Sequence, residues 1–107
     1  MKTETVLILR PGAPTTDAHG NSVPGADVPT AVDGCLVAPR LQGDATEGGR
    51  QGVIIGATVY FPKGTTVLAT DRLQVRGKVH KIEGDPGVWP GAPGRWDTEV
   101  ATRRVEG

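Results

Sequence analysis

The sequence predicts an all-β domain, a small barrel of about six strands with long loops, formed by residues 1–107 as one unit. Three observations predict it. Short apolar runs alternate with polar residues at a period of two, 16 glycines and 9 prolines separate those runs, and no segment keeps a 3.6-residue apolar period over three turns.

The strands follow in chain order. Thr5 to Arg10 is rich in Val, Ile and Leu and is stopped by Pro11-Gly12, which reads as a strand with both faces partly covered. From Ala13 to Thr30, Pro14, Gly20, Pro24, Gly25 and Pro29 exclude a helix and predict a long excursion that turns at Asp17 to Asn21. Ala31 to Pro39 is a second strand, with Val32, Cys35 and Val37 apolar and Gly34 at a bulge or close approach. Arg40 to Gly52 holds four glycines and almost no apolar residue, and is expected to be a loop. Val53 to Pro62 is the most strand-like run, with Val53, Ile55, Ala57, Val59 and Phe61 on one face. Its other face also carries Ile54 and Tyr60, so the expectation is a strand covered twice, once by the core and once by a neighbouring subunit.

Thr70 to Trp89 reads most clearly. Arg76-Gly77 is a two-residue hairpin turn, which pairs Val75 with Lys78, Leu73 with His80 and Asp71 with Ile82 and puts Leu73, Val75 and Ile82 on one apolar face. Glu83 to Gly87, with Asp85 and Pro86 at its centre, then turns the chain toward Trp89. After a Gly/Pro loop that includes Arg95, the run from Trp96 to Val105 alternates at Thr98, Val100 and Thr102 and forms the last strand.

Composition limits the function. Lys plus Arg and Asp plus Glu are 12 each, so no global field draws in nucleic acid or an acidic membrane. The chain has one Tyr, one Phe and two Trp, and a domain of this size buries roughly two-thirds of its unfolded surface, so the core must be thin and partner surfaces are expected to add stability. The single Cys35 excludes an internal disulfide and reads as a small buried hydrophobe. The apolar run near the N-terminus is too short for a signal-peptide core, and nothing approaches the ~20 apolar residues of a bilayer span, so a protein used without export is expected.

Few residues offer chemistry. One serine, one cysteine and two distant histidines do not assemble a nucleophile with a positioned base, so no catalytic residue, cofactor or metal is expected. Asp71 and Asp85 read as turn caps rather than as a carboxylate pair with Glu83, His80 as a filler on the apolar face, and His19 as a solvated turn residue. Trp89 and Trp96 read as core or interface anchors, because base-stacking platforms sit in basic grooves.

The order of these patterns resembles the small head-to-tail stopper, or head-closure, proteins of tailed bacteriophages, especially those infecting actinobacteria. The similar features are the first strand ending in Arg10-Pro11-Gly12, the run Val32-Asp33-Gly34-Cys35-Leu36-Val37-Ala38-Pro39-Arg40, and Asp71-Arg72-Leu73 through Val75-Arg76-Gly77-Lys78 to Glu83-Gly84-Asp85-Pro86-Gly87-Val88-Trp89. The closing Arg103-Arg104-Val105-Glu106-Gly107 completes them. His80 departs from the pattern, in which a Tyr is expected.

The resemblance implies an SH3-like or related barrel in a homo-oligomeric ring of six or twelve copies at the virion neck, assembled in the host cytoplasm. Portal and adaptor would lie above it and the tail terminator or tail tube below. Such a ring closes the DNA-filled capsid, holds packaged DNA in its channel without sequence specificity, and touches no membrane. By position, Arg40, Leu41, Gln42, Gly43, Asp44, Ala45, Thr46, Glu47, Gly48, Gly49, Arg50, Gln51 and Gly52 match the loop that gates DNA in such rings. His19, Asn21, Trp89, Arg95 and Trp96 are the expected contacts with neighbours or partners, and the hairpin from Asp71 to Pro86 is scaffold. The other readings are a tail-completion or tail-terminator ring protein and a free-standing SH3-like binding module.

Overall fold

The computed structural model describes residues 2–42, 53–91 and 94–105. Strand β1 (Glu4–Arg10), β2 (Thr15–Thr16), β3 (Ser22–Val23), β4 (Val28–Gln42), β5 (Val53–Pro62), β6 (Arg72–Val75), β7 (Lys78–Ile82), β8 (Gly87–Val88) and β9 (Trp96–Arg104) are its regular elements, and no described residue is helical. Six strands run in the order β5-β4-β1-β6-β7-β9, and β9 pairs back onto β5, which closes an antiparallel barrel. Strand β8 lies beside the part of β9 that β7 does not reach. Closure leaves the barrel few free backbone edges, which in open sheets invite pairing with other chains.

Alternation along the strands fills the barrel. Val6 and Ile8 point inward from β1, Cys35 from β4, Ala57, Val59 and Phe61 from β5, and Leu73 and Val75 from β6; Val100 completes the set from β9. Phe61 is the only aromatic residue of this core, so the interior is as thin as the composition predicts. The expected hairpin forms with Val75 opposite Lys78 and Leu73 opposite His80. Arg76 and Gly77 take φ values of 50° and 79°, the left-handed pair that a tight turn between twisted strands requires. The pairing of Asp71 with Ile82 does not form: β6 begins at Arg72, and the Asp71 carboxylate instead accepts the Leu68 N–H at 2.8 Å. Asp71 is thus a turn cap.

Irregularities curl the strands. Gly34 (φ 77°) is the predicted bulge, where Thr5 of β1 faces the extra β4 residue between the Glu4–Cys35 and Val6–Val32 pairs. A second shift, at Ile55, breaks the predicted single face of β5: Arg40 pairs with Gly56 but Leu41 with Ile54, so Ile55 leaves the buried row and is only half-buried. The outer face of β5 has Ile54 exposed and Thr58 and Tyr60 half-buried in the lone chain.

Two element boundaries are corrected. Val28 to Thr30, expected within the excursion, already belong to β4 and pair with Arg10 to Ile8. Arg40, Leu41 and Gln42, expected to open a loop, are the end of β4, because strand pairing with Val53 to Gly56 supplies the backbone partners that their sequence does not advertise. The rest of that expected loop, residues 43–52, lies outside the described residues.

The barrel also holds buried polar groups. Thr102 Oγ1 donates to the Ala57 carbonyl (3.0 Å), accepts the Ala57 N–H (3.1 Å) and lies 2.8 Å from His80 Nδ1. The Cys35 thiol donates to the Val32 carbonyl at 3.4 Å, and burial pushes its pKa up to about 11, so it packs as a neutral small side chain.

Candidate functional site

The features that the barrel does not need for its own closure are two ribbons that leave opposite ends of β4. The first continues the β1–β4 pair beyond Arg10 and Val28. Its legs run so close that a side-chain carbon on Gly12 would lie 2.4 Å from the Ala26 carbonyl oxygen and one on Gly25 2.3 Å from that of Ala13, which explains glycine at both positions. Strands β2 and β3 pair only with each other and form its tip. Asp17 builds the turn: its Oδ1 accepts the N–H groups of His19 (2.9 Å) and Asn21 (2.8 Å), and Gly20 takes φ 81°. Those hydrogen bonds, that from Asn21 foremost, hold the Asp17 carboxyl below its ordinary range despite slight desolvation. His19 and Asn21 are therefore displayed on a preformed, exposed tip.

The second ribbon is the far end of β4 and the start of β5, beyond the last β9 pair at Gly56–Arg103. Leu41 is 60% exposed on it, with Ile54 opposite and also exposed. Arg40 anchors its base. The Arg40 guanidinium reaches past Gly56 to donate from Nη1 to the Thr102 carbonyl (2.9 Å) and to Glu83 Oε1 (2.8 Å), which also accepts Arg103 Nε at 3.2 Å. The Arg40 bond, with Arg103 adding its charge, keeps the Glu83 carboxyl below its usual range. Arg40 is thus a clamp between strands, and Glu83 is held by two arginines rather than paired with Asp71.

A third exposed region surrounds β8. Trp89 is 59% exposed beside exposed Val88, although its own N–H is fixed to the Asp97 carbonyl at 2.8 Å. Arg95 is exposed and its carbonyl accepts the Lys63 N–H at 2.9 Å. Trp96 differs: its indole N–H donates to the Gly34 carbonyl at 2.8 Å and pins the start of β9 to the β4 bulge. Trp96→Phe replaces the indole with a smaller aromatic ring and removes that bond, so a loss of at least about 1 kcal/mol in denaturant unfolding is expected; no loss would show the bond to be absent.

Trp89, Arg95 and Trp96 share the β8–β9 end, whereas His19 and Asn21 sit on the first ribbon. Asp85 is exposed and Pro86 half-buried in the β7–β8 turn. Sequence reading placed Ile54 on the outer face of its strand and Leu41 in the expected loop, but missed the exposed Val28 and Val88; the signal available was an apolar residue on the outward parity of its strand. Among the described residues no group of three His, Cys, Asp or Glu side chains is arranged to hold a metal ion, and no helix is long and apolar enough to cross a membrane. No protein-family model matches the chain, and no curated protein is significantly similar to it.

Proposed function

We propose that the protein is a ring-forming structural subunit of the bacteriophage neck, a head-to-tail stopper that closes the DNA-filled head below portal and adaptor and offers the tail its docking surface. The observation that carries the reading is a closed small barrel from which two ribbons project with apolar residues exposed. The radius of gyration of 16.5 Å exceeds the about 13 Å of a compact chain of this length, and the longest dimension is 59 Å against a shortest of 21 Å. A barrel closed on itself offers neighbours little sheet edge, so association falls to side-chain surfaces such as Val28 on the first ribbon, Leu41 and Ile54 on the second, and Trp89 beside β8. In a ring, one ribbon and Trp89 would seat against the adjoining copy while the other ribbon faces the channel. The balanced charge of the chain suits a channel that DNA must traverse without sticking.

The test is assembly in the absence of this protein. Heads made without it should package DNA and then lose it, and purified protein should bind those heads before any tail is present and restore retention. Recovery of the protein only on isolated tails would instead favour a tail-terminator role and refute the stopper reading.

A further inference from the structure

A cavity of about 100 Å³ opens at the barrel end from which the second ribbon leaves. Val37 of β4, Ile54 of β5 and Val75 of β6 form apolar walls, and His80 lies within the lining although only 3% of its surface is exposed. The charged groups around it are Arg76 from the hairpin turn, Lys78 from β7 and Arg104 from β9; β4 and β5 contribute none among the lining residues. Arg76 is already bonded to Glu4, with Nε 2.9 Å from Oε1. Lys78 and Arg104 have no carboxylate partner among the described residues. Among the described residues this end of the barrel is therefore locally cationic in a chain of zero net charge.

The histidine is oriented for this cavity. With the Thr102 hydroxyl proton placed on the Ala57 carbonyl, 3.0 Å away, the oxygen accepts from His80 at 2.8 Å and Nδ1–H is the donor. Nδ1 is engaged by Thr102, no described protein group bonds to Nε2, and His80 lines the cavity, so Nε2 is the ring nitrogen left for a ligand there. We propose that this cavity receives a carboxylate on a short aliphatic stem, the side chain of a glutamate or aspartate of a protein partner. The stem packs on Val37, Ile54 and Val75, and the carboxylate meets Lys78, Arg104 and His80 Nε2. Because Nδ1 already carries a proton, Nε2 donates only when the ring is an imidazolium, so docking takes up one proton. Burial, with the Arg104 charge second, holds the empty-site imidazole below its ordinary range, and an arriving anion reverses that bias. The inference does not depend on the ring reading, since it is tested on the isolated chain.

The experiment follows the imidazole resonances of His80 by NMR during addition of propionate, phosphate or chloride at matched ionic strength, with exposed His19 as internal reference. Propionate should shift His80 saturably, raise its titration midpoint and bind several-fold tighter at pH 6 than at pH 8. Lys78→Gln combined with Arg104→Gln, at exposed positions, should weaken binding at least threefold while the amide spectrum stays that of the folded barrel. An equal or larger response to phosphate would overturn the proposal in favour of a general anion site. A His80 response no larger than that of His19, or one unchanged in the double variant, would also overturn it.

Discussion

Gly56→Ala should leave little folded protein, with a loss of about 3 kcal/mol or more in urea unfolding of whatever remains soluble. A side-chain carbon at this position would lie 1.9 Å from the backbone oxygen of Thr102 and 2.7 Å from its carbonyl carbon. Neither atom belongs to a flexible side chain, so β5 and β9 would have to part at the seam that closes the barrel. Insertion of carbon into packed structure costs about 1–3 kcal/mol even where neighbours can give. The same oxygen accepts the Arg40 hydrogen bond, so the base of the second ribbon would loosen with the seam. Gly20→Ala is the control, because its φ of 81° is unfavourable to alanine but the space around it is open. It should lose only about 1 kcal/mol. Equal unfolding midpoints for the two variants would refute the close approach.

Asp71→Ala should lower stability by about 2–4 kcal/mol, because it removes the carboxylate that joins three segments and strands their donors. Asp71 is 2% exposed, accepts Arg10 Nε at 3.1 Å and Nη2 at 2.9 Å, and caps the turn through the Leu68 N–H. Burial pushes its carboxyl up, but the Arg10 hydrogen bonds, the Leu68 amide and the Arg10 charge together outweigh it, so the folded-state pKa lies below the ordinary value. Such a group stabilises the fold fully above its unfolded-state pKa, and that contribution is lost as pH falls through the folded value. The wild type should therefore lose stability on acidification below about pH 4. Asp71→Asn should be less stable at neutral pH and flatter in this acid range, and an acid slope identical to wild type would show that Asp71 is not its source.

Gly56→Ala and Asp71→Ala act first on the barrel, whose loss is read in unfolding rather than in assembly. A ring subunit of the proposed kind needs a frame that keeps its shape while its arms meet different neighbours, and the closed sheet with the Arg10–Asp71 and Arg40–Glu83–Arg103 clamps is such a frame. Changes at Trp89 or Leu41, by contrast, fall on exposed side chains and should be felt in association before stability.

Much of this was legible in the chain. The all-β class, the Arg76-Gly77 turn with its Leu73–His80 register, the Gly34 bulge, buried Cys35 and the inward row Thr98, Val100 and Thr102 all follow from local rules: a period of two and glycine where φ is positive. What only the tertiary structure decided depends on contacts distant in sequence. That Arg40 to Gln42 are strand was set by pairing with β5, that Asp71 turns to Arg10 rather than pairing with Ile82 by the approach of β1, that His80 opens toward Lys78 and Arg104 by the β7–β9 pairing, and that Gly56 lies against Thr102 by the closure of β5 onto β9. Closure joins residues some 45 positions apart, such as Ala57 and Thr102, and no local pattern carries the identity of so remote a partner.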